Sequence, residues 1–252
     1  MTPTAPDPDE VEREARARDR AQFMATVSHD LKTPLNAVVG FTSVLLLDLH
    51  GTEAGRKLVL IHDSARQMLE RLNSLVELFR WEAGVLSPGR DWFYPGELLV
   101  RVGEEARAAA EERGLAVLVE PRGAPARARS DLRLVHRVLR EFLANAIKHS
   151  RTGPIRLRAL ADPPDPQGVR RLRLEVADQG LGLKPDGLAA LRTAFDPRVP
   201  PAAWSFQDLG LGLALCRQAA HLLGGSLEVD ASCEQGARFS LVLALAAGEL
   251  ED

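Results

Sequence analysis

Between Leu58 and Phe79 the apolar residues Leu58, Ile61, Ala65, Met68, Leu72, Leu75 and Phe79 fall at spacings that alternate between three and four. That spacing confines the apolar side chains to one narrow seam of a helix, and such a seam demands another helix to cover it. Upstream, Phe23, Val27, Leu31, Leu35, Val38, Leu45 and Leu49 also keep a helical spacing, and the charged, Ala-rich "EVEREARARDRAQF" opens the same helix. "HGTEAG" at 50–55 reads as the turn between them. One hairpin cannot cover both of its own apolar stripes. Two copies are therefore expected to pair into a four-helix bundle. The acidic, Pro-containing start is expected to be a disordered tail, residues 1–14, with the helical domain at 15–84.

A linker at 85–90, within "GVLSPGR", breaks the seam, and a different grammar follows over 91–248. "GELLVRVGEEARAAAEERG", "DLRLVHRVLREFLANAIKHS" and "LGLALCRQAAHLLGG" have helical periodicity, the last ending at glycine. "LAVLVE", "SLEVD" and "ARFSLVLAL" read as strands. "PIRLRAL" and "VRRLRLEVAD" alternate apolar with polar residues around a turn-rich stretch and read as an antiparallel hairpin. The expected fold class is α+β: a helical hairpin forming a dimeric four-helix bundle, then an α/β sandwich with helices on one face of its sheet.

Composition removes several classes of function. A net charge of −3 and the lack of a long basic block argue against nucleic acid as partner. Runs such as Leu241–Ala247 are too short to cross a bilayer, so no direct membrane insertion is expected. The two cysteines, Cys216 and Cys233, lack metal-ligand spacing and are read as buried thiols of a reducing cytoplasm.

On a helical wheel the first apolar stripe spans about 40° to 120° from Phe23, whereas His29 falls at about 240° and Thr33 at about 280°. His29 is expected to face water, either as a plain solvated histidine or as a nucleophile. Asp30 beside it can hold one imidazole proton and leave the other ring nitrogen nucleophilic. Pro34 removes the N–H that the carbonyl of Asp30 would normally receive, and a kink there would re-aim this turn.

Three further stretches carry binding chemistry. In "REFLANAIKHS" the amide oxygen of Asn145 suits Mg²⁺, and Lys148 on the same turn offers a point charge to phosphate. In "VADQGLGL" a strand delivers Asp178 to Gly180 and Gly182, which permit a tight turn or a close ligand. In "DLGLGLALC", Gly210 and Gly212 open a helix whose backbone N–H groups can meet phosphate. Read singly, these are respectively a polar face, a turn and a helix start.

Taken in order with "SHDLKTPLN", they resemble the phospho-acceptor, N, G1 and G2 boxes of the sensor histidine kinases of two-component signalling, over about residues 15–247. The resemblance implies ATP and Mg²⁺ as cofactors and His29 as phospho-acceptor. It gives Asp30 the role of orienting or deprotonating the imidazole, and Thr33 a role in placing water for phosphatase activity. Asp178 would accept a hydrogen bond from the adenine amino group. Lys148, Gly180, Gly182, Gly210 and Gly212 would line the nucleotide site, with Asn145 and Glu141 at the metal. Phe195 matches the aromatic ahead of the ATP lid, which holds Trp204.

The chain departs from the family pattern in having Glu141 where the N box commonly has Asn, His149 where an aromatic commonly follows the lysine, and Asp208–Leu209 where the G2 box commonly has glycine. Related ATPases use a glutamate like Glu141 as a base, so hydrolysis of ATP without labelling of His29 is one alternative. A degenerate, non-catalytic scaffold is another. The expected partners are a second copy of the chain, the receiver domain of a separate response regulator, and a sensor protein that supplies the input.

Overall fold

The computed structural model describes residues 8–84, 88–120, 123–196, 206–231, 236–246 and 248–251. The chain divides into two compact units, Met1–Ser87 and Pro88–Asp252.

The first unit is a hairpin of α1 (Pro8–Leu49) and α2 (Glu53–Glu82), which pack along each other. Residues 8–14, expected as tail, are helical. Pro8 suits a first helical position, and the Ala, Arg and Glu that follow are strong helix formers. Helix α1 continues through Pro34. The turn is tighter than "HGTEAG" suggested, because α2 has already begun at Glu53. Gly51 takes a positive φ of 81°. Thr52 then caps α2 by accepting the Gly55 N–H at 2.9 Å. A Cβ on Gly55 would run into the carbonyl of Leu49, so only glycine lets the helices start this close. Thr42 and His62 bridge the two helices at 3.0 Å.

Much of the apolar stripe stays open on a single chain: Leu31, Val38, Leu45, Ile61 and Met68 are each more than a third exposed. Between the helices lies an apolar groove of about 450 Å³ lined by Leu31, Pro34, Leu35, Val38, Met68, Arg71, Leu72 and Leu75.

The second unit is built on a five-stranded sheet of β2 (Ala116–Glu120), β4 (Pro154–Ala161), β5 (Arg170–Ala177), β6 (Gly225–Asp230) and β7 (Arg238–Leu245), in the order β2-β4-β5-β7-β6. The β4–β5 hairpin is antiparallel, as its alternation implied, whereas β2 pairs parallel to β4. One face is covered by α3 (Pro95–Glu111), α4 (Leu132–His149) and α6 (Phe206–Leu222), while α5 (Pro185–Phe195) packs on β6 and α6. The core holds Leu139, Phe142 and Leu143 of α4 against Ile155, Leu157, Leu172, Leu174, Leu241 and Leu243.

On the opposite face one register row reads Glu120, Arg158, Glu175, Ser240, Glu228. Glu120 takes hydrogen bonds from Arg158 and Arg156, which hold its carboxyl below the usual range. Arg173 pairs with Glu228, and Glu175 lies buried beneath these arginines. A small second sheet, β1 (Asp91–Phe93), β3 (Arg127–Ser130) and β8 (Leu250–Glu251), was not foreseen. Helix α5 was likewise unforeseen; of its residues the sequence singles out only Phe195. Cys216 is buried, and burial pushes its thiol well up. Cys233 and Trp204 lie outside the described residues. Among the described residues no helix is long and apolar enough to cross a membrane.

Candidate functional site

In the first unit His29 and Asp30 stand on the exposed side of α1, with side chains 83% and 74% exposed. The wheel placed His29 there because the opposite side of α1 carries the apolar stripe. His29 Nδ1 lies 3.3 Å from Asp30 Oδ1. A proton shared on that side leaves Nε2 with its lone pair toward solvent, the arrangement a nucleophilic imidazole needs. Thr33, one turn on, donates to the His29 carbonyl at 3.4 Å and is exposed.

In the second unit α4 presents Glu141 and Asn145, both half-buried, and the exposed Lys148 along one side. The other side of α4 is apolar and sits on the sheet, which fixes where these three point. Asp131 caps the helix: its Oδ1 accepts the N–H groups of Arg133 and Leu134 at 2.9 and 3.3 Å. Glu141 reaches across to α6. A Cβ added to Gly212 would lie 2.5 Å from Glu141 Oε2, so a side chain there would displace the carboxylate. Gly210 falls in the first part of the same helix.

Asp178 follows the end of β5. Its Oδ1 accepts the Gly180 N–H at 2.7 Å and the Ala237 N–H at 3.3 Å, and its own N–H donates to the Ala237 carbonyl at 2.9 Å. The approach is close because Gly180 and Gly236 carry no Cβ. A Cβ on Gly236, where φ is 98°, would strike the Asp178 carbonyl, and one on Gly180 would lie 2.7 Å from the carbonyl of His149. Gly182 has a φ of 66° and closes the loop against Gly236.

The loop after Asp178 therefore touches the end of α4, and Glu141 on α4 touches the start of α6. Three stretches far apart in sequence meet around α4. Phe195, at the end of α5, is buried edge-on to Phe239. Arg217 of α6 donates to the Asp196 carbonyl at 2.9 Å, and burial lowers its pKa to about 10. The parts played by Gly236, Ala237 and Arg217 are not legible from sequence, since a glycine ahead of a strand or an arginine on a helix carries no motif. Asn145 and Glu141 offer hard oxygens of the kind Mg²⁺ takes, one turn apart on one helix.

The HATPase_c family, described as histidine kinase-, DNA gyrase B- and HSP90-like ATPase, matches residues 130–247. The HisKA family, the His Kinase A (phospho-acceptor) domain, matches residues 19–84. The autoinducer 2 sensor kinase/phosphatase LuxQ of Vibrio cholerae is 29% identical over 242 residues, which is 96% of this chain and 28% of that protein. The histidine protein kinase DivJ of Caulobacter vibrioides is 29% identical over 242 residues, 94% of this chain and 39% of its own length. The chain thus spans about a quarter to two fifths of these relatives. Among solved structures, full-length ShkA in complex with AMPPNP superposes with a TM-score of 0.66 at 27% identity, covering 91% of this chain and 47% of that one. The Acinetobacter baumannii histidine kinase AdeS shares the fold, with a TM-score of 0.57 at 18% identity over 86% of this chain and 98% of its own.

Proposed function

The chain belongs to the sensor histidine kinases of two-component signal transduction, with a phospho-acceptor unit followed by an ATPase-like unit, and we propose that it uses ATP to phosphorylate its own His29 and passes the phosphoryl group to an aspartate of a response regulator. The observation that carries this reading is the exposed His29 with Nδ1 turned to Asp30 and Nε2 toward solvent. Nε2 attacks the γ-phosphorus, the N–P bond forms as the bond to the β,γ-bridging oxygen breaks, and ADP leaves. Asp30 holds the Nδ1 proton as positive charge develops on the ring. The regulator's aspartate oxygen then attacks the same phosphorus and releases His29.

Adenine is assigned to Asp178, with Gly180 and Gly182 shaping that wall. Phosphate is assigned to Lys148 and to the α6 backbone at Gly210 and Gly212. Asn145 and Glu141 would hold Mg²⁺, which offsets phosphate charge when bound. Thr33, one turn from His29, would place water for dephosphorylating the regulator. The working form is a homodimer in the cytoplasm, its input coming from a sensor protein or from a segment outside this sequence.

His29→Ala should abolish acid-labile labelling from γ-labelled ATP and leave ATP binding intact. A label that persists in the variant would overturn the assignment.

A second reading follows from Glu141. Its carboxylate lies against Gly212 and replaces the amide common at that place, which suits either a base toward water or a scaffold with little catalysis. Glu141→Asn separates these from the metal role, for which we expect the variant to stay active. A rate that collapses while ATP still binds marks Glu141 as the base. A wild type that binds no ATP in titration marks a scaffold.

A further inference from the structure

Asp131 lies outside the motifs assigned above, yet its carboxylate is only 3% exposed, while the Arg133 guanidinium 3.0 Å away is 84% exposed. Capping α4 uses Oδ1 alone. Serine, threonine or asparagine would cap as well without burying a charge. What a carboxylate adds is a second oxygen, and here Oδ2 accepts the N–H of Gly89 at 2.6 Å, a short, charge-assisted bond.

The next two residues are held in the same place. The carbonyl of Arg90 accepts from Arg129 Nε at 3.1 Å, and the Arg90 guanidinium lies 3.3 Å from the Glu249 carboxylate. Asp91 pairs with Ser130 in the small sheet. Three consecutive residues at the entry to the second unit are thus fastened to residues 129–131, immediately ahead of α4. Along that helix Glu141, Asn145 and Lys148 follow at about 15, 21 and 25 Å from Asp131.

We propose that Asp131 is a positioning residue for phosphoryl transfer: it registers the chain arriving from the phospho-acceptor unit onto the helix that carries the nucleotide-site residues. A change in the direction of the arriving chain then acts on the origin of α4 instead of dissipating in a loose tether. Transfer is sensitive to such registration because an error of about 1 Å between reacting groups costs on the order of a hundredfold in rate. The inference rests on the reading that His29 receives the γ-phosphoryl group.

Two variants of the full chain test it. Gly89→Pro deletes the N–H donor and sets a ring carbon where Oδ2 now lies, so the bond cannot re-form. Asp131→Ser keeps the cap and deletes Oδ2. Each should slow labelling of His29 by about tenfold to a hundredfold, with ATP affinity by calorimetry unchanged. The double variant should be no slower than the slower single, because both changes remove the same bond. Wild-type rates in both variants, additive losses in the double variant, or a parallel fall of ATP affinity would overturn the proposal. A wild type that labels normally beside unaffected variants sinks the positioning role alone. A wild type that binds ATP but labels nothing sinks the phospho-acceptor reading with it.

Discussion

Asp178 already takes two backbone N–H groups on Oδ1, from Gly180 and Ala237. An amide in its place faces a conflict. Its NH₂ must point either at those N–H donors or toward the adenine amino group proposed to bind there, and in both orientations an acceptor is lost. Asp178→Asn should therefore weaken ATP binding by about 1.5–3 kcal/mol, or about tenfold to a hundredfold in Kd. Calorimetry reads this directly, and an unchanged Kd would remove adenine from this pocket. The aspartate itself was legible in the sequence, standing at the end of an alternating strand before two glycines. Its second backbone partner was not, because Ala237 is 59 residues away and has no side chain that marks it.

Among the elements, α4 shows most clearly how a local signal and a distant one combine. Its periodicity and its Asp131 start are readable from the sequence alone, whereas the grip of Asp131 on Gly89 needs the fold. Burial pushes the Asp131 carboxyl up, but hydrogen bonds from Arg133 and from the Gly89 and Leu134 backbone outweigh it, and the pKa ends below the usual value. A depressed carboxyl stabilises the folded state fully at neutral pH, and that contribution is lost as pH falls from about 3.9 through the lower folded value. Asp131→Asn should cost about 1–2 kcal/mol at pH 7. The gap to wild type in urea unfolding should shrink toward pH 3. A gap that is constant with pH would mean that the charge contributes nothing. Helices α3 and α4 and the β4–β5 hairpin were legible for the same reason: each is long enough to repeat its pattern. Strands β1, β3 and β8 have two to four residues, too few to show alternation, and each exists only through its pairing with a distant segment. The parallel partnership of β2 with β4 is likewise set by α4, the helix that crosses between them.

At the scale of the molecule the first unit is incomplete by its own apolar balance. Leu31, Val38, Ile61 and Met68 remain exposed beside the groove lined by Leu72 and Leu75. Exposed apolar surface of this extent marks an interface, and a second hairpin laid along the groove would bury it. Leu72→Glu should dissociate or unfold that assembly, lowering the sedimenting mass in analytical ultracentrifugation at micromolar concentration. A wild type that sediments as a monomer under the same conditions would remove the homodimer.

The strand order β2-β4-β5-β7-β6 also sets a schedule. β7, the strand that joins β5 to β6, lies at residues 238–245, after every other strand of that sheet. During synthesis β4 and β5 can meet early, but the outer edge of β5 and the whole of β6 must wait for it, and unpaired apolar strands are the segments on which folding chains go astray. A chain stopped short of Arg238 loses the middle of its sheet, not a margin. A chain stopped before Gly236 also loses the backbone that holds Asp178, so the ATPase-like unit gains both its five-stranded sheet and the support for Asp178 only when β7 arrives.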